Sequence, residues 1–362
     1  MTDNREARQR SVAAAVHALG ADAIVVTHLP NIRWLTGFTG SAGILVLSSD
    51  RATLLTDFRY ETQAAVDVGA SAAVIIERAN VWERLKRWFE STVPIGALAF
   101  ESHVTTVRDA ERLRGAFHGQ LIPTIEVVET LRQVKDDGEI AAIRAAAALA
   151  HESLAEVVDT VAVGDREIDI AARLESALRR RGSQWHPFQT IVASGPRSAF
   201  PHARSSEREI ARGEFLLIDF GAQVGGYCSD ITRTFAIGVP NERQRAVYQT
   251  VRDAQARAIA GLRSGLTGRE GDALARDLIA GRGYGDAFGH SLGHGLGLEV
   301  HEAPRLAMTA EAVLPAGAVV TVEPGIYLAG WGGVRIEDDV RLTPEGSVLL
   351  SDGHTELIIL DT

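Results

Sequence analysis

One cysteine in 362 residues, Cys228, rules out an intrachain disulfide and any zinc cluster built on cysteines. It reads instead as a small buried hydrophobe. No apolar run comes near the roughly 20 residues that a membrane-spanning helix needs, so no membrane partner is expected. The first residues, Met1 to Gln9, are polar and lead into an alanine-rich helical pattern. They lack the charged, apolar and small-residue layout of a signal peptide, and a cytoplasmic protein is expected. Basic residues are also in short supply: 37 Lys and Arg against 47 Asp and Glu leave a formal net charge of −10. That balance argues against nucleic acid as a partner, because phosphate binding needs a basic face. Low-complexity tracts and flexible linkers are missing too. What is present is globular in composition, with 46% hydrophobic and 23% charged residues, and long enough for two domains.

Residues 1–131 read as an α/β domain. Short β-branched apolar runs at Ala23–Val26, Gly43–Leu47, Val74–Ile76 and Ile95–Ala99 alternate with helical patterns near Tyr60–Val68, Trp82–Phe89 and Thr106–Phe117. Nothing in this part concentrates catalytic residue types. Trp34 reads as a core aromatic or as a residue at a subunit interface or over the site. A boundary falls near Leu131–Asp137, where the polar segment RQVKDDGE begins, and residues 132–362 form the second domain. There the order of elements repeats. Helical patterns at 139–158 and 166–181 precede apolar strands through Phe235; patterns at 242–262 and 268–280 precede strands at Val319–Glu323 and Val334–Val340. Asn241 is placed to cap a helix, and Thr267 to Glu270 has capping-box spacing. Val247, Val251, Ala254, Ala258 and Leu262 share one helix face. Two such halves predict one α+β domain with approximate internal two-fold symmetry.

Each half carries acids where an apolar strand should not have them. The strand Glu214–Asp219 is apolar until it ends in aspartate, and Tyr227–Phe235 returns with Asp230 inside it. A hairpin centred between Val224 and Gly225 sets Asp219 opposite Asp230, with Cβ atoms about 4.5–5.5 Å apart. Downstream, Val319–Glu323 ends in glutamate and Val334–Glu337 begins the next strand, with Glu323 and Glu337 symmetric about Gly330. Like charges at that distance repel, and burial makes it worse. Either Arg233 and Arg335 neutralise them as structural ion pairs, or cations bind between them. Oxygen-rich sites with a single imidazole suit manganese, or cobalt and zinc, better than copper.

The histidines favour cations. His290, His294 and His301 fall within a glycine-rich stretch between the two acidic hairpins, and His202 follows a turn-rich loop upstream. Two look-alikes fail. Gly289-His-Ser291-Leu-Gly293 matches the serine-hydrolase pattern, with Asp338, Asp352 and His354 following, but that pattern needs a helix after the serine and the glycines oppose one. His301-Glu302 lacks the second histidine of a zinc-protease motif, since Arg305 stands there.

The segments LLIDFGA, GYCSDITRTF, GHSLGHGLGLEVHE, VEPGIY and GVRIEDD, in this order between Leu216 and Asp339, resemble the M24 metallopeptidase family with its pita-bread fold. NIRWLTGFTGSAG and TDFRYETQA resemble the N-terminal domain of Xaa-Pro aminopeptidases and prolidases. The resemblance implies a creatinase-like α/β N-terminal domain followed by an α+β pita-bread (creatinase/aminopeptidase-like) catalytic domain. It implies two divalent metal ions, manganese above cobalt or zinc, held by Asp219, Asp230, His294, Glu323 and Glu337, with Asp230 and Glu337 bridging. Glu323 matches the general base, His202, His290 and His301 match histidines around the substrate, and Arg335 matches a supporting arginine. The expected substrates are short peptides with proline second, and a homodimer is expected. The N-terminal segments favour an Xaa-Pro aminopeptidase. The alternatives are a prolidase restricted to dipeptides and a non-catalytic binding protein on the same fold.

Overall fold

Burial on both faces explains why the first strand carries no polar alternation: all four residues of β1 (Ala23–Val26) are buried. The computed structural model describes residues 4–91, 95–351 and 353–360, so Asp352 lies outside the described residues. Two compact units divide the chain, Met1–Arg132 and Gln133–Thr362. In the first unit β1, β2 (Ile44–Ser48), β3 (Ala52–Asp57), β4 (Ala73–Glu77), β5 (Ala97–Glu101) and β6 (Gln120–Thr124) form a mixed sheet in the order β4-β3-β2-β1-β5-β6. Six helices flank it: α1 (Arg5–Ala18), α2 (Leu29–Thr36), α3 (Glu61–Val68), α4 (Val81–Ser91), α5 (Val107–Ala116) and α6 (Val127–Arg132). The periodicity misses β3, β6, α2 and α6. β6 contains Pro123, which is tolerated because β6 is an edge strand. Helix α2 has proline in its first turn and ends at Gly37 in the left-handed region, φ 81°. Trp34 sits on α2, 5% exposed, in the core of this unit.

In the second unit α7 (Asp137–Val158) and α8 (Glu167–Arg180) precede a sheet made of β7 (Ile191–Ser194), β8 (Phe215–Phe220) and, beyond the short hairpin of β9 (Gln223–Val224) and β10 (Tyr227–Cys228), β11 (Ile231–Ile237). Then α9 (Glu242–Gly261) and α10 (Gly268–Gly281) precede a second set: β12 (Gly293–Gly295), β13 (Glu302–Leu306), β14 (Val319–Val322), β15 (Gly325–Leu328), β16 (Gly332–Arg335), β17 (Asp338–Leu342) and β18 (Ser347–Leu349). The last strand, β19 (Ile359–Leu360), returns to pair with β11 in the first sheet, giving β19-β11-β8-β7; the second sheet runs β13-β12-β14-β17-β18. Capping boxes start three of the four helices, at Asp136/Glu139, Asn241/Gln244 and Thr267/Glu270. Each cap stabilises its helix by about 1 kcal/mol.

Each half has its own core. Ala146, Ala150, Ile170 and Leu174 of α7 and α8 pack on Leu216, Ile218 and Phe235. Val247, Val251, Ala254, Ala258 and Leu262, all fully buried as their shared face predicts, pack with Ile279 on Val320, Val322 and Val340. Cys228 is buried in a smaller cluster with Ile140 and Leu296.

Register differs from expectation in one hairpin. Asp219 lies opposite Thr232, not Asp230. The turn is Gly225-Gly226, both at positive φ (58° and 86°), so the hairpin centres one residue later than symmetry of the acids suggests. Strand side chains alternate with period 2, so this two-residue offset keeps both aspartates on one face. The second pair centres on Gly330: Gly325 faces Arg335, Val322 faces Asp338, and Glu323 and Glu337 sit between these pairs at opposed positions.

Candidate metal centre

Several strand ends and the middle of β12 converge on one cavity of about 540 Å³. Its walls include Asp219 at the end of β8, Asp230 just before β11, His294 on β12, Glu323 just after β14 and Glu337 between β16 and β17. Asp230, His294 and Glu337 each offer an atom within 4.8 Å of the others. The His294 Nε2 lies 3.8 Å from Asp230 and 3.4 Å from Glu323. Asp219 faces the same cavity from beside Arg335, whose Nη2 donates to it at 2.5 Å.

The acids are poorly compensated. Asp219, Asp230 and Glu337 are buried, and the Glu323 side chain is 16% exposed. Of the two arginines that the ion-pair reading offers, Arg335 takes Asp219 and Arg233 takes Asp338 at 2.8 Å. Asp219 Oδ1 and Asp230 Oδ1 are buried without a hydrogen-bond partner. Burial, reinforced by Glu337 and Asp219, raises the Asp230 carboxyl well above its ordinary range. Burial and the charges of Glu323 and Asp219 raise Glu337 likewise. Burial pushes Glu323 up to about 8 against the pull of Arg335. A cluster that holds protons so reluctant to leave is stabilised by anything that brings positive charge between the oxygens.

The histidine is set up to accept a cation. His294 Nδ1 lies 3.0 Å from the Gly295 carbonyl, so Nδ1 carries the proton and Nε2 turns its lone pair to the acids. Burial, then the neighbouring His301, holds its pKa down to about 4, and the ring is neutral at pH 7. Orphaned oxygens, surplus acid and an aimed imidazole lone pair together fit divalent cations.

Around this core the histidines divide. The His301 ring lies tilted at 60° to that of His294, with ring centroids 4.4 Å apart, and the exposed His202 lines the same cavity. His290 is engaged at both nitrogens: Nδ1 donates to the Ser291 carbonyl at 2.8 Å, and Nε2 accepts from the Tyr327 hydroxyl at 2.8 Å. Tyr327 in turn accepts from Arg335 at 2.8 Å. Ser291 is followed by a strand, so the serine-hydrolase pattern has no helix behind it.

Several contributors were not singled out in the sequence. Thr232 donates to Glu337 at 2.6 Å and accepts from Arg335; Thr321 donates to Glu323 at 3.2 Å. Each threonine stands two residues from an acid at the end of its strand, which is the signal that would have found them. Arg305 lines the cavity directly across β12/β13 from His294. Asp339 accepts from the Asp230 amide at 3.2 Å.

Residues 141–344 match the metallopeptidase family M24, and residues 8–134 match the creatinase/prolidase N-terminal domain. The chain belongs to metallopeptidase family M24. This M24 member joins a creatinase-type N-terminal domain to a pita-bread catalytic domain. It is 35% identical over 339 residues to the Xaa-Pro dipeptidase of Pyrococcus horikoshii, covering 93% of this chain and 94% of that one. A solved Xaa-Pro dipeptidase from Bacillus anthracis superposes with a TM-score of 0.95 at 41% identity, covering 98% and 100%. A solved X-Pro aminopeptidase from Thermotoga maritima gives 0.90 at 36% identity, covering 97% and 99%. Among the described residues, no helix of the M24 chain is long and apolar enough to cross a membrane.

Proposed function

We propose that this chain hydrolyses Xaa-Pro dipeptides with two divalent cations, manganese by preference. Asp219, Asp230, His294, Glu323 and Glu337 would hold the ions. The observation that carries the reading is the uncompensated acid cluster facing the His294 lone pair. When bound, the ions supply a nucleophilic hydroxide at neutral pH and polarise the scissile carbonyl.

The chain's own residues do the rest. Glu323 accepts a proton as attack begins and returns it to the leaving nitrogen. That nitrogen belongs to proline, has no N–H in the peptide, and cannot leave as an amine without a proton. Arg335 holds Asp219 in place at 2.5 Å and anchors Tyr327. His290, occupied at both nitrogens, fixes that network, so donation to the peptide falls to His301 and His202.

Preference for dipeptides over longer chains rests on Arg305 and on the relatives, whose names favour the dipeptidase over the aminopeptidase that the N-terminal segments suggest. Arg305 is exposed at the cavity, and among the described residues no carboxylate pairs with it. A guanidinium there suits the free carboxylate of a C-terminal proline. The test is hydrolysis of Ala-Pro and Ala-Pro-Ala by metal-stripped protein reloaded with Mn²⁺. Rapid cleavage of the dipeptide with little of the tripeptide is expected. Equal cleavage of both makes the chain an aminopeptidase.

A further inference from the structure

Helix α8 begins with an acid that no catalytic role explains. Glu167 is fully buried, and its carboxylate accepts five hydrogen bonds. Oε1 takes the Ser194 amide and hydroxyl, both at 2.8 Å. Oε2 takes the Ser206 amide at 3.1 Å, the Ser206 hydroxyl at 2.6 Å and Arg197 Nε at 3.0 Å. Ser194 ends β7 and Ser206 lies beyond His202, so one side chain closes both ends of the loop that carries His202. The helix laces the loop in the other direction too: the amides of Glu167 and Ile168 donate to the carbonyls of Arg208 and Ser206. A buried carboxylate whose oxygens accept from this many donors is rigid in place.

We propose that Glu167 is the positioning residue for His202, fixing the 194–206 loop and with it the histidine at the wall of the peptide site. The inference rests on the reading that His202 faces the peptide. Pro201, Ala203 and Arg204 line the same cavity, so a loosened loop moves a whole wall. The metal ligands stand on other elements, and the wall can shift while the metal centre stays intact.

The test is a double-mutant cycle of Glu167→Gln and His202→Ala in the Mn²⁺-loaded full chain, with hydrogen exchange as a second readout. Glutamine turns an N–H₂ toward groups that are themselves donors, so the shape is kept and the clasp is lost. Glu167→Gln is expected to lower kcat/KM for Ala-Pro by about 10- to 100-fold. Mn²⁺ affinity should not change, and the double variant should be no worse than His202→Ala alone. Amides of residues 194–206 should exchange faster while those of β14 and β17 do not. Should Glu167→Gln fail to fold, Ser206→Ala removes one of the five bonds and should show the same pattern more weakly. Multiplicative losses in the cycle overturn the proposal, as does unchanged exchange in the loop. If the wild type cleaves no Xaa-Pro peptide, the proposed function falls by itself, and the exchange measurement then decides whether Glu167 holds the loop.

Discussion

The two halves of the Gln133–Thr362 unit build their shares of the site with the same elements and different fastenings. Both use a helix pair behind a sheet and send acids out from the strand ends. In the first half the His202 loop is clasped by one carboxylate, Glu167. In the second half the segment leading into His290 and His294 is held by an ion pair on the equivalent helix: Asp272 accepts from the Leu292 amide at 2.9 Å, and Arg276 donates to the carbonyls of Phe288 and His290. Backbone chemistry explains the difference. The first loop offers N–H and O–H groups at both ends, which a carboxylate answers; the second turns carbonyls inward, which need a guanidinium. A third buried carboxylate sharpens the lesson. Glu167 is surrounded by donors, whereas Asp230 has an oxygen with none. Two acids of similar burial are therefore suited to opposite work: Glu167 is braced by donors, and Asp230 is left open to a cation.

The largest effect should come from the proposed ligands. Asp230→Asn or Glu337→Gln should cut Ala-Pro hydrolysis and Mn²⁺ affinity by more than about 100-fold, beyond what outer partners cost, measured by turnover and metal content. Next comes the second-half clasp. Arg276→Met strands Asp272, whose side chain is 1% exposed, and should cost about 3–5 kcal/mol in urea unfolding. A loss under 1 kcal/mol would erase the contrast between the two fastenings. Arg305→Ala should raise KM for Ala-Pro about 10- to 100-fold and leave Ala-Pro-Ala unchanged.

The metal-free protein should also show the acid cluster through pH. Glu323 has a folded pKa of about 8, raised above its unfolded value by burial, and Asp230 and Glu337 are raised in the same direction. The folded state therefore binds more protons, and stability falls as pH rises from the ordinary carboxylate range towards 8. The slope is about 1.4 kcal/mol per pH unit for each group that stays protonated in the fold and ionised when unfolded. Chemical denaturation of stripped protein from pH 5 to 8 measures it, and Mn²⁺ should flatten the slope. The smallest effect is local: Asn241→Ala removes the cap that accepts from Gln244 and should cost about 1 kcal/mol, read as a modest drop in Tm.

How far the sequence carries depends on whether a residue breaks a local rule. Acids ending apolar strands break one, so Asp219, Asp230, Glu323 and Glu337 stood out. Capping spacing at Asn241 and Thr267 is local and equally visible. Glu167, Asp272 and Arg276 break nothing: an acid in a first helical turn, or an Asp–Arg pair four apart, looks like any solvated helix face. Only the tertiary fold shows that these faces are buried against loop backbone. Strand β12 was hidden because its glycines lower strand propensity. They are needed for close approach: a Cβ on Gly293 would meet the Thr321 carbonyl oxygen at 2.0 Å, and one on Gly295 the Ala303 carbonyl oxygen at 2.2 Å. The aspartate hairpin register slipped for a related reason, since two glycines at 225 and 226 make a tight turn that symmetry of the acids does not locate.

The central claim is that the surplus acids are a cation site. Calorimetric titration of the stripped protein with Mn²⁺ near pH 7, in buffers of different ionisation enthalpy, tests it most directly. Two ions per chain should bind, with protons released as the raised carboxyls of Asp230, Glu323 and Glu337 give way to metal. Binding without proton release, or no binding at all, would contradict the account.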